Sequence, residues 1–207
     1  VSKDLYNSSK HKSLMDIETP PNLSSDEFKC FKEIVKPQLE ELYCYSYNKF
    51  KYKNIDIHIS KEIQGLSVKE INKIMNKFPD KDLEFVSEIY FVSYDCKDDK
   101  ENYQVNGRTM PVIHKIIIYP KARDKLDIVL AHETGHIVFE KQLSKHLKQL
   151  FALVLLQTFP DFKSNSIGEY ALFVKEQFAN SYDNFINNFD RLKKFPLIYN
   201  FFIKHIN

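Results

Sequence analysis

What this chain has little of narrows its roles before any motif is read. Its three cysteines, Cys30, Cys44 and Cys96, cannot all pair within one molecule, and none stands in a C-x-x-C spacing. Along a continuous helix Cys30 and Cys44 would lie about 21 Å apart, so no disulfide is expected between them. That scarcity fits a reducing compartment without requiring one, and both a secreted and a cytoplasmic location stay open. Arginine occurs only at Arg108, Arg123 and Arg191, the formal net charge is +2, and lysines alternate with acids instead of forming a stripe. A nucleic-acid partner is therefore not expected. The longest apolar run, Leu150 to Leu156, is far short of the roughly 18 residues a spanning helix needs, so no membrane span is expected. The first residues show no charged-then-apolar signal pattern, and there is no internal repeat or low-complexity segment.

What is present suffices for a folded domain. The 207 residues include 17 Phe and 12 Tyr, enough bulky side chains for a sizeable core. Residues 1–23, polar and ending near Pro20-Pro21, read as a tail or surface-lying arm, and residues 24–207 as a single domain, expected to be monomeric. Ser24-x-x-Glu27 is a capping box that opens a helical pattern running to Leu42, with Pro37 as a kink or restart. Residues 54–60 alternate strictly, three isoleucines against polar neighbours, and predict a half-buried strand. A helix over 67–78, a strand at Ile89–Val92, a hairpin turn at Asn106-Gly107 and a strand over 112–119 follow. From Asp124 the pattern is helical, with helices expected near 124–142, 145–158, 169–189 and 196–206. The fold class is thus α+β: a mixed N-terminal lobe with a small twisted sheet (about 24–136), a helical C-terminal lobe (about 137–207), and a cleft between them.

The most informative stretch is His132-Glu133-Thr134-Gly135-His136, an H-E-x-x-H motif. Residues four apart share one helix face with Cβ atoms about 5–6 Å apart, so His132 and His136 can reach one zinc ion, while Glu133 projects beside it as a general base. A catalytic zinc takes three protein ligands and leaves one position for water. The histidine-extended form of the motif is excluded, because Phe139 and Gln142 stand where it needs glycine and histidine. Downstream glutamates are Glu140, Glu169 and Glu176. Glu140 follows His136 by one turn of the same helix and is poorly placed to complete a tetrahedron with its own neighbours. Glu176 borders the apolar arc of its helix, beside the small Ala179 that allows close helix approach; Glu169 falls near the same edge and is the reserve.

These residues resemble the glutamate-type H-E-x-x-H zinc peptidases, the gluzincin-like group, and in particular the compact set related to the anthrax lethal factor catalytic domain and the Pro-Pro endopeptidases. Tyr170-Ala171-Leu172 followed by Glu176-Gln177-Phe178-Ala179 is similar to the family's second element, over roughly residues 82–203. The resemblance implies a zincin-like fold, Glu176 as the third zinc ligand and Tyr170 as an oxyanion stabiliser. Two departures stand beside it: Tyr170 precedes the glutamate by six residues where the family has seven, and Asn180 occupies a position where an acid is common. The Glu-x-x-Ala-Asn pattern also resembles the ligand helix of ImmA/IrrE-like regulatory peptidases, although a whole helix within the gap from His136 to Glu176 argues against that group.

The expected activity is zinc-dependent hydrolysis of a peptide bond in a protein or peptide, with Glu133 and Tyr170 catalytic and His132, His136 and Glu176 on the metal. A zinc-holding binding module with little turnover is the alternative. The strand at 112–119 is expected to pair with an extended substrate. Among the other histidines, His11, His58, His146 and His205 read as solvated, and His114 as a neighbour of the cleft.

Overall fold

The alternating segment near residue 55 becomes one strand of a five-stranded open sheet. The computed structural model describes residues 17–96, 105–110 and 112–206. Its strands are β1 (Tyr47–Tyr52), β2 (Ile55–Ser60), β3 (Glu88–Phe91), β4 (Gly107–Met110) and β5 (Lys115–Ile118), in the spatial order β1-β2-β3-β5-β4. β2, β3 and β5 run parallel, whereas β1 and β4 form the two edges in antiparallel sense. β1 was not legible in the chain because its larger side chains do not alternate: Tyr47 packs on one face of the sheet and Tyr52 on the other.

Both faces of the sheet are covered, which corrects the half-buried reading of β2. On one face Ile55, Ile57 and Ile59 join the main core. On the other, α1 (Ser25–Cys30), a π-helical turn (Phe31–Val35) and α2 (Lys36–Tyr43) bring Phe31, Val35, Leu39 and Leu42 onto Tyr90, Val92, Ile117 and Tyr119. His58 is consequently not solvated. It is 6% exposed, stacks on Tyr90 with ring centroids 4.2 Å apart, and holds Nε2 3.2 Å from Glu88 Oε2. The capping box at Ser24 and Glu27 forms as expected, and Pro37 follows the π-helical turn in a helical path that continues unbroken from α1 into α2. Ile17 and Leu23, from the stretch expected as a tail, rest against this second cluster.

The hairpin between β4 and β5 turns elsewhere than expected. The Asn106 carbonyl accepts a hydrogen bond from Tyr119 N at 3.0 Å and Gly107 opens β4, so the Asn-Gly pair leads into a strand and does not turn the hairpin. The reversal includes residues 112–114, where Val112 and His114 take left-handed backbone angles, φ 73° and 50°. The strand expected over 112–119 therefore shortens to Lys115–Ile118, and it lies inside the sheet between β3 and β4. β4, not β5, is the edge.

The remaining helices are α3 (Val68–Met75), α4 (Asp80–Leu83), α5 (Leu126–Lys141), α6 (Lys145–Thr158), α7 (Ile167–Asn187), α8 (Phe189–Leu192) and α9 (Pro196–His205), with a 3₁₀ segment at Pro120–Lys125 before α5. α5 is apolar nearly all round because it is packed nearly all round, between β4 and β5 on one side and α7 on the other. Behind α7, Phe151 of α6, Phe178 of α7 and Phe201 and Phe202 of α9 form a ring cluster with centroid spacings from 5.0 to 6.2 Å. Among the described residues, no helix is long and apolar enough to cross a membrane.

A buried polar latch fixes α7 to the base of the sheet lobe. The Tyr182 hydroxyl donates to Asp82 Oδ2 at 2.6 Å, and both residues are fully buried. Burial raises the Asp82 pKa, and hydrogen bonds from Tyr182 and Gln142 oppose that rise. Tyr182→Phe leaves Asp82 buried without this donor and is expected to cost about 1–3 kcal/mol of stability. Urea unfolding of the two proteins checks this; an unchanged midpoint and slope would show that the latch does not hold the fold.

Candidate metal centre

Close crossing of two helices builds this site. A Cβ added at Gly135 would stand 2.9 Å from Ala179 Cα and 3.0 Å from Tyr182 Cβ, so only glycine lets α5 lie this near α7. The residues one step from this crossing then face each other: His132 and His136 from α5, Glu176 and Asn180 from α7. His132 Nε2 is 3.1 Å from His136 Nε2, His132 Nε2 is 3.4 Å from Glu176 Oε2, and His136 Nε2 is 3.5 Å from Glu176 Oε1. Tetrahedral coordination with bonds of about 2.0–2.1 Å puts donor atoms about 3.3–3.4 Å apart. The two imidazoles stand near that spacing, each faces its own oxygen of the Glu176 carboxylate at a similar distance, and one donor atom from each of the three residues lies within 4.8 Å of the others. Among the described residues they form the one His, Cys, Asp or Glu group able to hold a metal ion.

The protonation pattern suits metal binding. His132 Nδ1 lies 3.1 Å from Asn180 Oδ1, an acceptor, so Nδ1 keeps its proton and Nε2, which faces the cluster, is the nitrogen that gives up its proton to meet a metal. Asn180, which the sequence marks only as a departure from an acid, thus orients the His132 ring without adding charge. Burial disfavours a charged His132, but Glu176, Glu133 and Asn180 together outweigh it and raise its pKa. Burial and the neighbouring His132 push His136 the other way. The His132 hydrogen bond holds Glu176 ionised, below the usual carboxylate range, against the opposing effect of burial.

Glu133 lies next to the cluster and is 6% exposed. Burial raises its pKa, opposed by His132 and by a hydrogen bond from Thr109. Thr109 Oγ1 stands 2.8 Å from Glu133 Oε2 and 3.0 Å from the Glu133 carbonyl oxygen. Gly107 belongs to the same contact: a Cβ there would meet Val129 Cγ1 at 2.6 Å and Glu133 Cγ at 2.9 Å. Nothing in the chain flagged Thr109, which is 24 residues from Glu133 and reaches it only through the placement of β4.

These groups open into a cleft of about 930 Å³ between α1, β4, α5 and α7. His114 and Val112 line it, as expected for His114, whose pKa burial lowers to about 4. Glu140 lines it too and pairs with Lys175, the neighbour of Glu176, and with Lys148. A smaller apolar pocket of about 270 Å³ at the carboxyl ends of β2, β3 and β5 holds none of these groups, and the guanidinium at its rim is engaged by Glu70 and Gly65.

Comparison with protein-family models, curated proteins and solved structures found no match. The site stands on its own geometry.

Of the residues expected at the site, His132, Glu133, His136 and Glu176 are brought together, and Tyr170 is not. Its hydroxyl donates to the Ala152 carbonyl at 2.8 Å, and its ring packs with Phe162 and Phe173 behind the cleft. Six residues before Glu176 is most of two helical turns, which places Tyr170 on another face of α7. Glu169, the reserve ligand, is occupied at the helix start: its N–H donates to Ser166 Oγ, and its carboxylate accepts from Asn165 N at 2.6 Å. The Ser166-x-x-Glu169 pattern is a capping signature visible in the chain.

Titration with Zn2+ as a probe is expected to show one site that Glu176→Ala abolishes and Glu169→Ala leaves intact. Asn180→Leu should weaken it about tenfold to a hundredfold. Because the metal must displace the proton that His132 tends to hold, affinity should fall from about pH 7.5 to about pH 5.5. Loss of the site in the Glu169 variant, or affinity that rises on acidification, would refute the assignment.

Proposed function

We propose that the protein is a zinc-dependent endopeptidase acting on an extended segment of a protein or peptide, with a zincin-like catalytic domain. The observation that carries this reading is the convergence of His132 Nε2, His136 Nε2 and the Glu176 carboxylate, 3.1–3.5 Å apart at their nearest atoms, beside a buried Glu133. Two imidazoles and one carboxylate, with no sulfur, are the donor set of a catalytic zinc that keeps a position open. A zinc ion bound there supplies Lewis acidity and a water whose pKa falls to about 7.

The chain supplies the rest. Glu133 accepts the proton of the attacking water and returns it to the leaving amine; its burial raises its proton affinity toward that of a base working near neutral pH. Asn180 holds His132 in the tautomer that keeps Nε2 free. β4 offers the substrate a strand to pair with. Since Asn106 faces β5 through its carbonyl, the antiparallel alternation turns the N–H and C=O of Gly107 and Thr109 to the open side, above Glu133. An extended peptide bonding to these groups lies across the cluster as an added strand.

Glu133→Gln is expected to lower peptide cleavage by at least about a hundredfold while one zinc stays bound per chain. The assay is mass-spectrometric profiling of a diverse peptide library beside metal analysis of both proteins. A wild type that binds zinc and cleaves nothing, or a variant that cleaves as well as wild type, would contradict the reading; the former favours a zinc-holding binding module.

A further inference from the structure

We infer that Thr109 is the positioning residue of the general base, and that through it the strand that docks the substrate also aims Glu133. This deepens the proposed peptidase reading and rests on it. Both roles fall on one four-residue strand. In β4, side chains alternate between faces: Met110 is buried in the cluster beneath α1 and α2, whereas Gly107 and Thr109 face α5. Thr109 places its hydroxyl 2.8 Å from Glu133 Oε2 and 3.0 Å from the Glu133 carbonyl oxygen, on the turn of α5 that carries the motif.

A hydroxyl has one proton to give, and the carboxylate oxygen is the nearer and stronger acceptor. The bond therefore ties Oε2 to the sheet, and the Thr109 backbone bears on the same carboxylate. Gly107 completes the fit from two residues away. With any side chain at 107 the Glu133 Cγ and Oε1 would be displaced, because even a Cβ would lie 2.9 and 3.0 Å from them. The carboxylate is thus held on one oxygen by a donor and confined at the other by an absence of atoms.

The backbone of the same two residues faces the open side of the sheet. Among the described residues no strand pairs with that side of β4. A peptide that bonds to the Thr109 backbone consequently presses on the residue whose side chain aims the base. Docking an extended peptide and orienting the base are one mechanical event on one strand, so a ligand that does not adopt strand geometry would meet a less ordered Glu133.

Thr109→Val keeps the shape of the side chain and removes the donor; Thr109→Ser keeps the donor and removes a methyl. With a peptide that wild type cleaves, Thr109→Val is expected to lower kcat about tenfold to a hundredfold, with KM and zinc content within twofold of wild type, and Thr109→Ser to restore most of kcat. A second readout needs neither zinc nor turnover. The side-chain carboxyl 13C resonance of Glu133 in the metal-free protein, assigned by its loss in Glu133→Gln, should shift in Thr109→Val and stay in place in Thr109→Ser. Should Thr109→Val fold poorly, Thr109→Ala takes its place in both experiments. An unchanged kcat in a cleaving enzyme, or an unmoved resonance in the donorless variant, overturns the inference. If wild type cleaves no peptide, the peptidase reading fails while the resonance still decides whether Thr109 holds Glu133.

Discussion

Everything at this site depends on how near α5 lies to α7. A helix pair separated by ordinary side chains would leave the Glu176 carboxylate out of reach of the histidines; Gly135 against the Ala179 backbone removes that spacer. The approach is held from behind by the ring cluster around Phe151, Phe178 and Phe202, and from below by the Tyr182–Asp82 hydrogen bond. Glycine within a helix carries a cost of about 1 kcal/mol relative to alanine, and here the close contact it permits offsets that cost. The third position after His132 is thus a packing requirement as well as part of a motif.

The second constraint comes from the sheet. α5 is pressed between α7 and the edge strand β4, so the His132–His136–Glu176 cluster forms on one flank of the helix and the Thr109–Glu133 contact on the other. Both flanks rely on glycine, Gly135 and Gly107, for the same reason: atoms that would otherwise separate the layers are missing. Glu140 and Lys175, which line the cleft, pair with each other, and Glu140 pairs with Lys148 as well, joining α5, α6 and α7 through side chains that keep 28–45% of their surface exposed. Their contribution to stability is small for that reason.

Much of this was legible in the chain, and the failures share a cause. His132, Glu133 and His136 are readable because a helix converts four-residue spacing into one face; Glu176 is readable because its helix edge and the small Ala179 are both local. The long helices and the alternation of β2 follow from periodicity in the same way. What periodicity does not carry is who sits on the other face. His58 was expected in water and is buried, since α1 and α2 cover a side of β2 that its own sequence marks as polar. Asn106-Gly107 has the composition of a turn, yet Gly107 is needed for its missing Cβ rather than its backbone freedom, and the actual reversal strains Val112 and His114. Tyr170 was assigned by resemblance, and its helical phase relative to Glu176 turns it away from the cleft. Thr109 left no trace in the chain, because its partner is brought to it by tertiary structure alone.

The central claim is that His132, His136 and Glu176 form a three-ligand catalytic zinc site. X-ray absorption at the zinc edge of the protein loaded with one equivalent of metal tests it most directly. The account predicts four light scatterers at about 2.0–2.1 Å, with the multiple-scattering signature of two imidazoles and one position held by water. A sulfur shell at about 2.3 Å, a single imidazole, or a six-coordinate oxygen environment would contradict it.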